Sequence, residues 1–335
     1  MQLITGATGL VGSHVLKYLL QKGEVVTALF HNRKPEETEK WLRKMGVNWT
    51  SNQLHWMTTE TFWNQHQLEQ YDVIYHCAAV VSYHAQDHAI MMEVNVHQTA
   101  EWVDWALEFG VAFCHVSSIA ALGKSEENAP IDEQCFWQPS KSHTEYSRTK
   151  FLGEMEVWRG IEEGLQAVIV NPGVIIGDVD LQQSSGQLFG TVARGYNYYP
   201  LGGTGWIGAN DVAQIMVRLV KDNCWGERYI LVAENQTMEW AFATMAKAMR
   251  LRIPQKPLSQ WMLTLLYWMD AISEKLSGKK AMVTAETIRN TAQIKRFSNQ
   301  KIVKQLQWKF ESVEDVIEQT ARNLFPQLPL SIEKN

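Results

Sequence analysis

Tyr146 and Lys150 stand four residues apart in the run YSRTK. On a helix that separation puts both side chains on one face. An ammonium beside a phenol stabilises the phenolate and lowers its pKa. Tyr146 then becomes a proton donor and acceptor usable near neutral pH. One loop upstream, Val111–Ser117 reads as a strand, and the hydroxyls of Ser117 and Ser118 close it. Hydroxyls at the carboxyl edge of a parallel strand sit where such sheets bind ligands.

A second group with chemistry in it is TGATGLVG, Thr5 to Gly12. It joins the apolar run Gln2–Ile4 to Leu10–Leu20, which has apolar residues at helical spacing. Strand, glycine turn and helix form the entrance to a nucleotide-binding βαβ unit. Gly6 turns the chain off the strand, Gly9 lets a pyrophosphate come close, and Gly12 lets the helix pack near the sheet. The free N–H groups of the helix N-terminus face the anion. Glycine-rich turns of this spacing also occur without a ligand. The place of this one on the first strand argues for a nucleotide.

The next strand, Glu24–Phe30, ends without a carboxylate and is followed by His31, Asn32, Arg33 and Lys34. An acidic residue there would bond a ribose 2′-hydroxyl and repel a 2′-phosphate. Cations in its place favour the phosphorylated cofactor, unless Arg33 and Lys34 merely decorate an exposed loop. Phe189, Tyr196, Tyr198, Tyr199 and Trp206 either line an apolar pocket beside the cofactor or form ordinary core. His76 reads as a structural histidine.

The elements that must position these groups follow from the hydrophobic pattern. Further strands are expected at Asn52–Met57, Asp72–Tyr75, Leu165–Val170 and Arg228–Val232. Helices are expected at Pro35–Met45, at Asp87–Phe109, from about Ser142, and at Ile207–Val220 with Asp211 near its start. Ser312-x-x-Asp315 resembles a capping box opening a last, docking helix. The architecture expected is α/β, a Rossmann-type doubly wound parallel sheet of about seven strands with a smaller C-terminal substrate lobe. Residues 1–173 and 207–232 would form the nucleotide-binding part, and 174–206 with 233–335 the lobe.

The chain has 335 residues and a net charge of −5, which argues against a general nucleic-acid or acidic-membrane binder. Cys77, Cys114, Cys135 and Cys224 show no metal-ligand spacing, so free cytosolic thiols and no metal are expected. The first strand leaves no room for a signal peptide, and a cytoplasmic location follows. The apolar run from Trp261 to Met269 is about half the roughly 20 residues that span a bilayer. It reads as a buried or pocket-covering helix, with contact at a membrane surface as the alternative.

Together the motifs resemble the extended short-chain dehydrogenases/reductases, also described as the NAD-dependent epimerase/dehydratase family. The matching runs are TGATGLVG, DVIYHCAA at Asp72–Ala79, VNVHQTA at Val94–Ala100, VSSIAALG at Val116–Gly123, YSRTK, NPGVIIG at Asn171–Gly177 and NDVA at Asn210–Ala213. AAVVS at Ala78–Ser82, the missing acid at Phe30 and NPGVIIG make it most similar to the dihydroflavonol reductase and 3β-hydroxysteroid dehydrogenase-like branch.

The resemblance implies that Tyr146 is the catalytic acid/base, that Lys150 lowers its pKa and bonds the nicotinamide ribose, and that Ser118 polarises the carbonyl. Ser117 is the register alternative for that last role, and Asn95 steadies the helix and site. NADP(H) is the expected cofactor and NAD(H) the alternative. It would contact Gly6, Thr8, Gly9, Leu10, Val11, Gly12, His31, Asn32, Arg33, Cys77, Ala78, Ala79, Val116, Pro172, Gly173 and Val174 as well as Tyr146 and Lys150. Ser82, Ser118, Tyr146, Phe189 and Trp206 would meet the substrate.

Three departures from the family pattern stand out: no acidic contact after the third strand, His31 where NADP-preferring relatives often place arginine, and a bulky Arg148. The implied reaction is reversible hydride transfer between NADP(H) and a ketone or secondary alcohol of an apolar or ring-containing small molecule, with a homodimer open. One alternative is a sugar-nucleotide epimerase or dehydratase, with Arg194 and Arg228 for the diphosphate. Another is a cofactor-binding regulator without turnover.

Overall fold

Short buried runs of β-branched and apolar residues build one parallel sheet. The computed structural model describes residues 1–65, 71–126, 129–140, 143–178, 185–259 and 293–326, together with Met262. Strands β1 (Gln2–Thr5), β2 (Val26–Phe30), β3 (Leu54–Thr58), β4 (Val73–His76), β5 (Ala112–Val116), β6 (Ala167–Pro172) and β10 (Glu227–Leu231) form it. Their order is β10-β6-β5-β4-β1-β2-β3, with every neighbouring pair parallel. Strands β4 and β6 are buried along their whole length, as central parallel strands are. The order reverses between β1 and β4, and that switch point is where such sheets open a ligand crevice.

Helices cover both faces. α1 (Leu10–Gln21) and α8 (Ala209–Lys221) pack with the β2 and β6 residues Val26 and Val170 into one core. On the other face Trp102 and Trp105 of α5 (Gln98–Phe109) join Phe62, Tyr71, Phe113 and Val157 of α6 (Glu145–Glu162). A three-stranded sheet, β11 (Glu234–Thr237), β9 (Gly203–Gly208) and β7 (Val174–Ile176), lies beyond β6. Helices α7 (Gly186–Ala193), α9 (Met238–Ala248) and the final α11 (Val313–Leu324) pack on it, and α10 (Gln300–Leu306) packs on the main sheet. The apolar run 261–269 lies outside the described residues, Met262 apart.

The expected seven-stranded Rossmann-type sheet is borne out, with strand ends displaced by one or two residues. Three local expectations are corrected. Asp87–Phe109 is not one helix: α4 (His88–Met92) leads into a π turn over Glu93–His97, and α5 follows. The widened turn carries Asn95 up against α6, where a Cβ on Gly153 would stand 2.1 Å from the Asn95 carbonyl oxygen. Ser312 is the N-cap of α11 but makes no side-chain capping bond, and Glu234 accepts the N–H of the first helical residue, Val313, at 3.0 Å. Helix α8 is capped by Gly208, and Asp211 turns outward from its first turn to accept from Trp308 Nε1 and the Glu311 N–H.

Gly153 allows α6 to touch the π turn, so Gly153→Ala forces the two apart. The expected cost is about 1–3 kcal/mol in urea unfolding; an unchanged midpoint would show that the contact tolerates a methyl group.

Candidate active site

Gly6 takes φ +65°, and a Cβ there would press within 2.8 Å of the Ala78 backbone. It therefore serves both the turn and the close approach of β1 to the loop after β4. A Cβ on Gly12 would meet the Gly6 carbonyl at 2.3 Å, so its role is packing within the turn rather than against the sheet. Gly9 caps α1 in extended backbone with no side chain over the helix end. The N–H groups of Thr8, Leu10, Val11 and Gly12 have no partner among the described residues. Bare donors at a helix N-terminus above a glycine turn fit a pyrophosphate. Arg33 folds over the same turn, donating from Nη1 to the Thr8 carbonyl at 3.0 Å, while His31 and Asn32 are exposed.

Tyr146 lies in the first turn of α6, which Thr144 caps by accepting the Ser147 N–H at 2.9 Å. Ser118 lies near enough to the phenol to act on its pKa. Ser118 is held in place because its Oγ accepts the Ala120 N–H at 3.1 Å. Lys150 is buried, and its ammonium donates to the Val116 carbonyl at 2.7 Å. This geometry corrects the expected effect of Lys150 on the phenol. Burial pushes the Tyr146 pKa well up, Tyr83 adds to the rise, and Ser118 works against it. Burial also lowers Lys150 to about 8, opposed by Glu154.

Glu154 is the buried charge beside the candidate site that sequence reasoning misses. Its carboxylate, fully buried, gathers four donors. Arg228 Nη1 gives to Oε1 at 2.9 Å and Trp158 Nε1 to Oε1 at 3.3 Å; Ser117 Oγ gives to Oε2 at 2.6 Å and Asn171 Nδ2 to Oε2 at 2.7 Å. Asn171 Nδ2 also donates to the Ser118 carbonyl at 3.0 Å. Ser117 is thus committed to Glu154, which leaves Ser118 as the hydroxyl beside Tyr146. The available signal was spacing, since Glu154 stands one further helical turn along the Tyr146–Lys150 face.

Asn95 clamps the loop after β4. Its Oδ1 accepts the Val80 N–H at 2.8 Å, and its Nδ2 donates to the Val80 carbonyl at 2.9 Å and to Thr149 Oγ1 at 3.1 Å. His76 ties this clamp to the glycine turn. Thr99 gives its proton to the Asn95 carbonyl, so His76 Nε2 donates to Thr99 and Nδ1 accepts from Thr5. Thr5 Oγ1 accepts the Ala78 N–H in turn. Burial holds His76 down to about 3, neutral and structural. Cys77 and Ala78 are partly buried and Ala79 exposed at the same strand end, and burial pushes the Cys77 thiol up to about 12.

Other expected contacts fall elsewhere. Phe189 and Trp206 are both fully buried in the lobe core, with Trp206 Nε1 donating to the Gln236 carbonyl, so neither presents a surface to a substrate. Ser82 is buried and donates to Asp87 Oδ2 at 2.7 Å. Pro172 is buried at the end of β6, and Val174 pairs with Trp206 in the lobe sheet. A Cβ on Gly173 would collide with the Gly205 carbonyl at 2.4 Å, which makes it a packing glycine. Arg228 is withdrawn from any diphosphate by Glu154 and by the Glu133 carbonyl, 2.6 Å from its Nη2.

Glu154→Gln keeps the shape and removes the charge facing Arg228 and Lys150. Breaking a buried pair costs about 3 kcal/mol of stability. Because Glu154 raises the Lys150 pKa, the alkaline limb of turnover against pH should move below its position near 8. A limb that stays in place would uncouple Glu154 from Lys150.

With this geometry in view, comparison with known proteins is specific. A model of the NAD dependent epimerase/dehydratase family matches residues 2–231. A Synechocystis sp. protein provisionally named dihydroflavonol 4-reductase is 25% identical over 311 residues, covering 90% of this chain and 88% of that one. Sterol demethylase protein B of Methylococcus capsulatus is 29% identical over 253 residues, covering 71% and 72%. The crystal structure of gox2253 superposes with a TM-score of 0.78 at 27% identity over 98% of both chains. A glycine turn at the sheet's switch point, a Ser118–Tyr146–Lys150 site and a match across most of the chain make this protein an enzyme of the NAD-dependent epimerase/dehydratase family.

Proposed function

We propose that the protein catalyses reversible hydride transfer between NADP(H) and a ketone or secondary alcohol on an apolar or ring-containing small molecule. The observation that carries this reading is the buried Lys150 ammonium, fixed on the Val116 carbonyl, on the same helix as a Tyr146 phenol whose pKa Ser118 lowers. Gly6, Gly9 and Gly12 would hold the cofactor's pyrophosphate, and its nicotinamide would supply or accept the hydride when bound. In reduction Tyr146 gives its proton to the carbonyl oxygen, and Ser118 donates a hydrogen bond to that oxygen as charge develops on it. The neutral phenol that burial enforces suits a proton donor.

An apolar substrate is supported by what lies beside Tyr146. The half-exposed Tyr83 ring stands edge-on to it at 6.0 Å, and Val81 is exposed two residues earlier. The preference for the phosphorylated cofactor rests on Phe30 at the end of β2 and on Arg33 at the glycine turn. The relatives named as reductase and sterol demethylase protein agree with oxidoreduction of such a molecule. The inward commitment of Arg228 speaks against sugar-nucleotide chemistry. A soluble cytoplasmic enzyme, a homodimer open to it, completes the reading.

Titration with NADPH and NADH, followed by energy transfer from tryptophan, tests the cofactor. NADPH should bind tighter, and Arg33→Gln should weaken NADPH by about tenfold while leaving NADH nearly unchanged. Tighter NADH binding by the native protein overturns the preference. Tyr146→Phe should keep cofactor affinity and lose about 10²–10⁴ of turnover on a carbonyl panel. Undiminished turnover would remove Tyr146 from the mechanism.

A further inference from the structure

A cavity of about 440 Å³ opens between α1, the exit of β7, α8 and the start of α11. That is room for a small ligand, and Ser118, Tyr146 and Lys150 take no part in its walls. The polar groups that line it include His14, Asp178, Asn210, Glu311, Ser312 and Asp315.

His14 is the buried wall, only 2% exposed. The Leu10 carbonyl can only accept, so His14 Nδ1 donates to it at 2.8 Å. Burial holds the imidazole down to about 3, so the ring is neutral and Nε2 carries a bare lone pair. Nε2 has no hydrogen-bond partner among the described residues, and Asp178 Oδ1 faces it at 3.8 Å. The other Asp178 oxygen is engaged, accepting from Asn323 Nδ2 at 2.6 Å. Trp41 Nε1 acts on the Asp178 carboxyl from nearby but completes no hydrogen bond. Two acceptors thus look at one another across the cavity wall. A gap of 3.8 Å lets one nitrogen stand about 2.9 Å from both and give a proton to each. Buried acceptors left unserved are rare and call for a donor.

The cavity is also short of positive charge. Glu311 and Asp315 make no ion pair among the described residues. Asp315 suits the N-terminus of α11, but Glu311 precedes that helix and Asp178 follows β7. The helix end therefore explains one carboxylate of the three. Lys17 is the cation at hand, since Asp178 and Glu311 both hold its pKa up against burial. Its ammonium donates to Asn210 Oδ1. Three carboxylates against one lysine leave the cavity net negative. A water would serve His14 and Asp178 but leave that charge standing.

We propose that this cavity binds the primary ammonium group of a small organic amine. His14 Nε2 and Asp178 Oδ1 take two of its protons, and Glu311 and Asp315 supply the counter-charge at the rim. The site is independent of the hydride-transfer reading. A metal ion fits less well, because no three His, Cys, Asp or Glu side chains among the described residues are grouped to hold one. The need for N–H donors sets the selectivity: a quaternary amine carries the charge but cannot satisfy the two acceptors.

Calorimetric titration of the full chain with putrescine tests the site, with two controls of equal charge. One is the bis-quaternary analogue of putrescine, which has no N–H, and the other is magnesium ion. Putrescine should bind one to one, at least about tenfold tighter than either control. Asp178→Asn should weaken putrescine by about tenfold. Asp178 also holds Asn323, so the double variant Glu311→Gln with Asp315→Asn, both exposed, gives a second reading and should weaken binding to a similar extent. Equal binding of the quaternary analogue would show that charge alone is recognised, and tighter magnesium binding would show a metal site. Either result overturns the proposal, as does no binding of putrescine or binding that neither variant weakens.

Discussion

The buried carboxylate of Glu154 is the constraint on which the rest of the site depends. A lone charge in the centre of a protein is expensive, and it persists only where donors surround it. Here the donors are drawn from β5 and its exit, from β6, from β10 and from α6 itself. Satisfying one charge therefore fixes three strand ends and the catalytic helix relative to one another. Asn171 shows how the constraint reaches the chemistry, since the amide nitrogen that serves Glu154 also holds the Ser118 carbonyl. Ser117 and Ser118 look equivalent in sequence, and the carboxylate separates them by engaging the first.

A second clamp acts from the other side of α6. The π turn brings Asn95 to the helix, Gly153 makes room for it, and its side chain spans Val80 and Thr149. His76 passes that constraint to Thr5 and so to the root of the glycine turn. The cofactor turn and the helix of reacting residues are thereby joined through neutral hydrogen bonds, with His76 kept uncharged by burial. The two clamps divide the work: the Glu154 network reaches Ser118 through Asn171, and the Asn95 network positions the loop after β4.

What was legible in the sequence follows from this arrangement. Central parallel strands are short apolar runs, so their places along the chain could be read from the hydrophobic pattern, and only their ends moved. The glycine turn and Tyr146, Lys150 and Ser118 were legible because their chemistry depends on local spacing. The break at Asn95 was not, since the residue that makes room for the wide turn, Gly153, is more than fifty residues away. Glu154 was hidden for the same reason: a glutamate on a helix resembles a solvated one until Arg228 arrives from β10. Phe189 and Trp206 carried no mark to distinguish a pocket wall from a core, and the lobe used them as core.

The direction of the Tyr146 shift also required the fold. Spacing on a helix put a phenol and an ammonium on one face, but it carried no information about burial. Burial acts on both groups in the same sense, toward neutrality, and so raises the phenol while lowering the lysine. Without a counter-charge Lys150 would fall further. With Glu154 one turn below, it stays near 8, about one unit above neutral, and so remains mostly protonated at pH 7. The site therefore holds a neutral phenol and a charged lysine one helical turn apart in the chain, the protonation state that the proposed carbonyl reduction starts from. The Glu154 carboxylate is what keeps the second half of that pair in place.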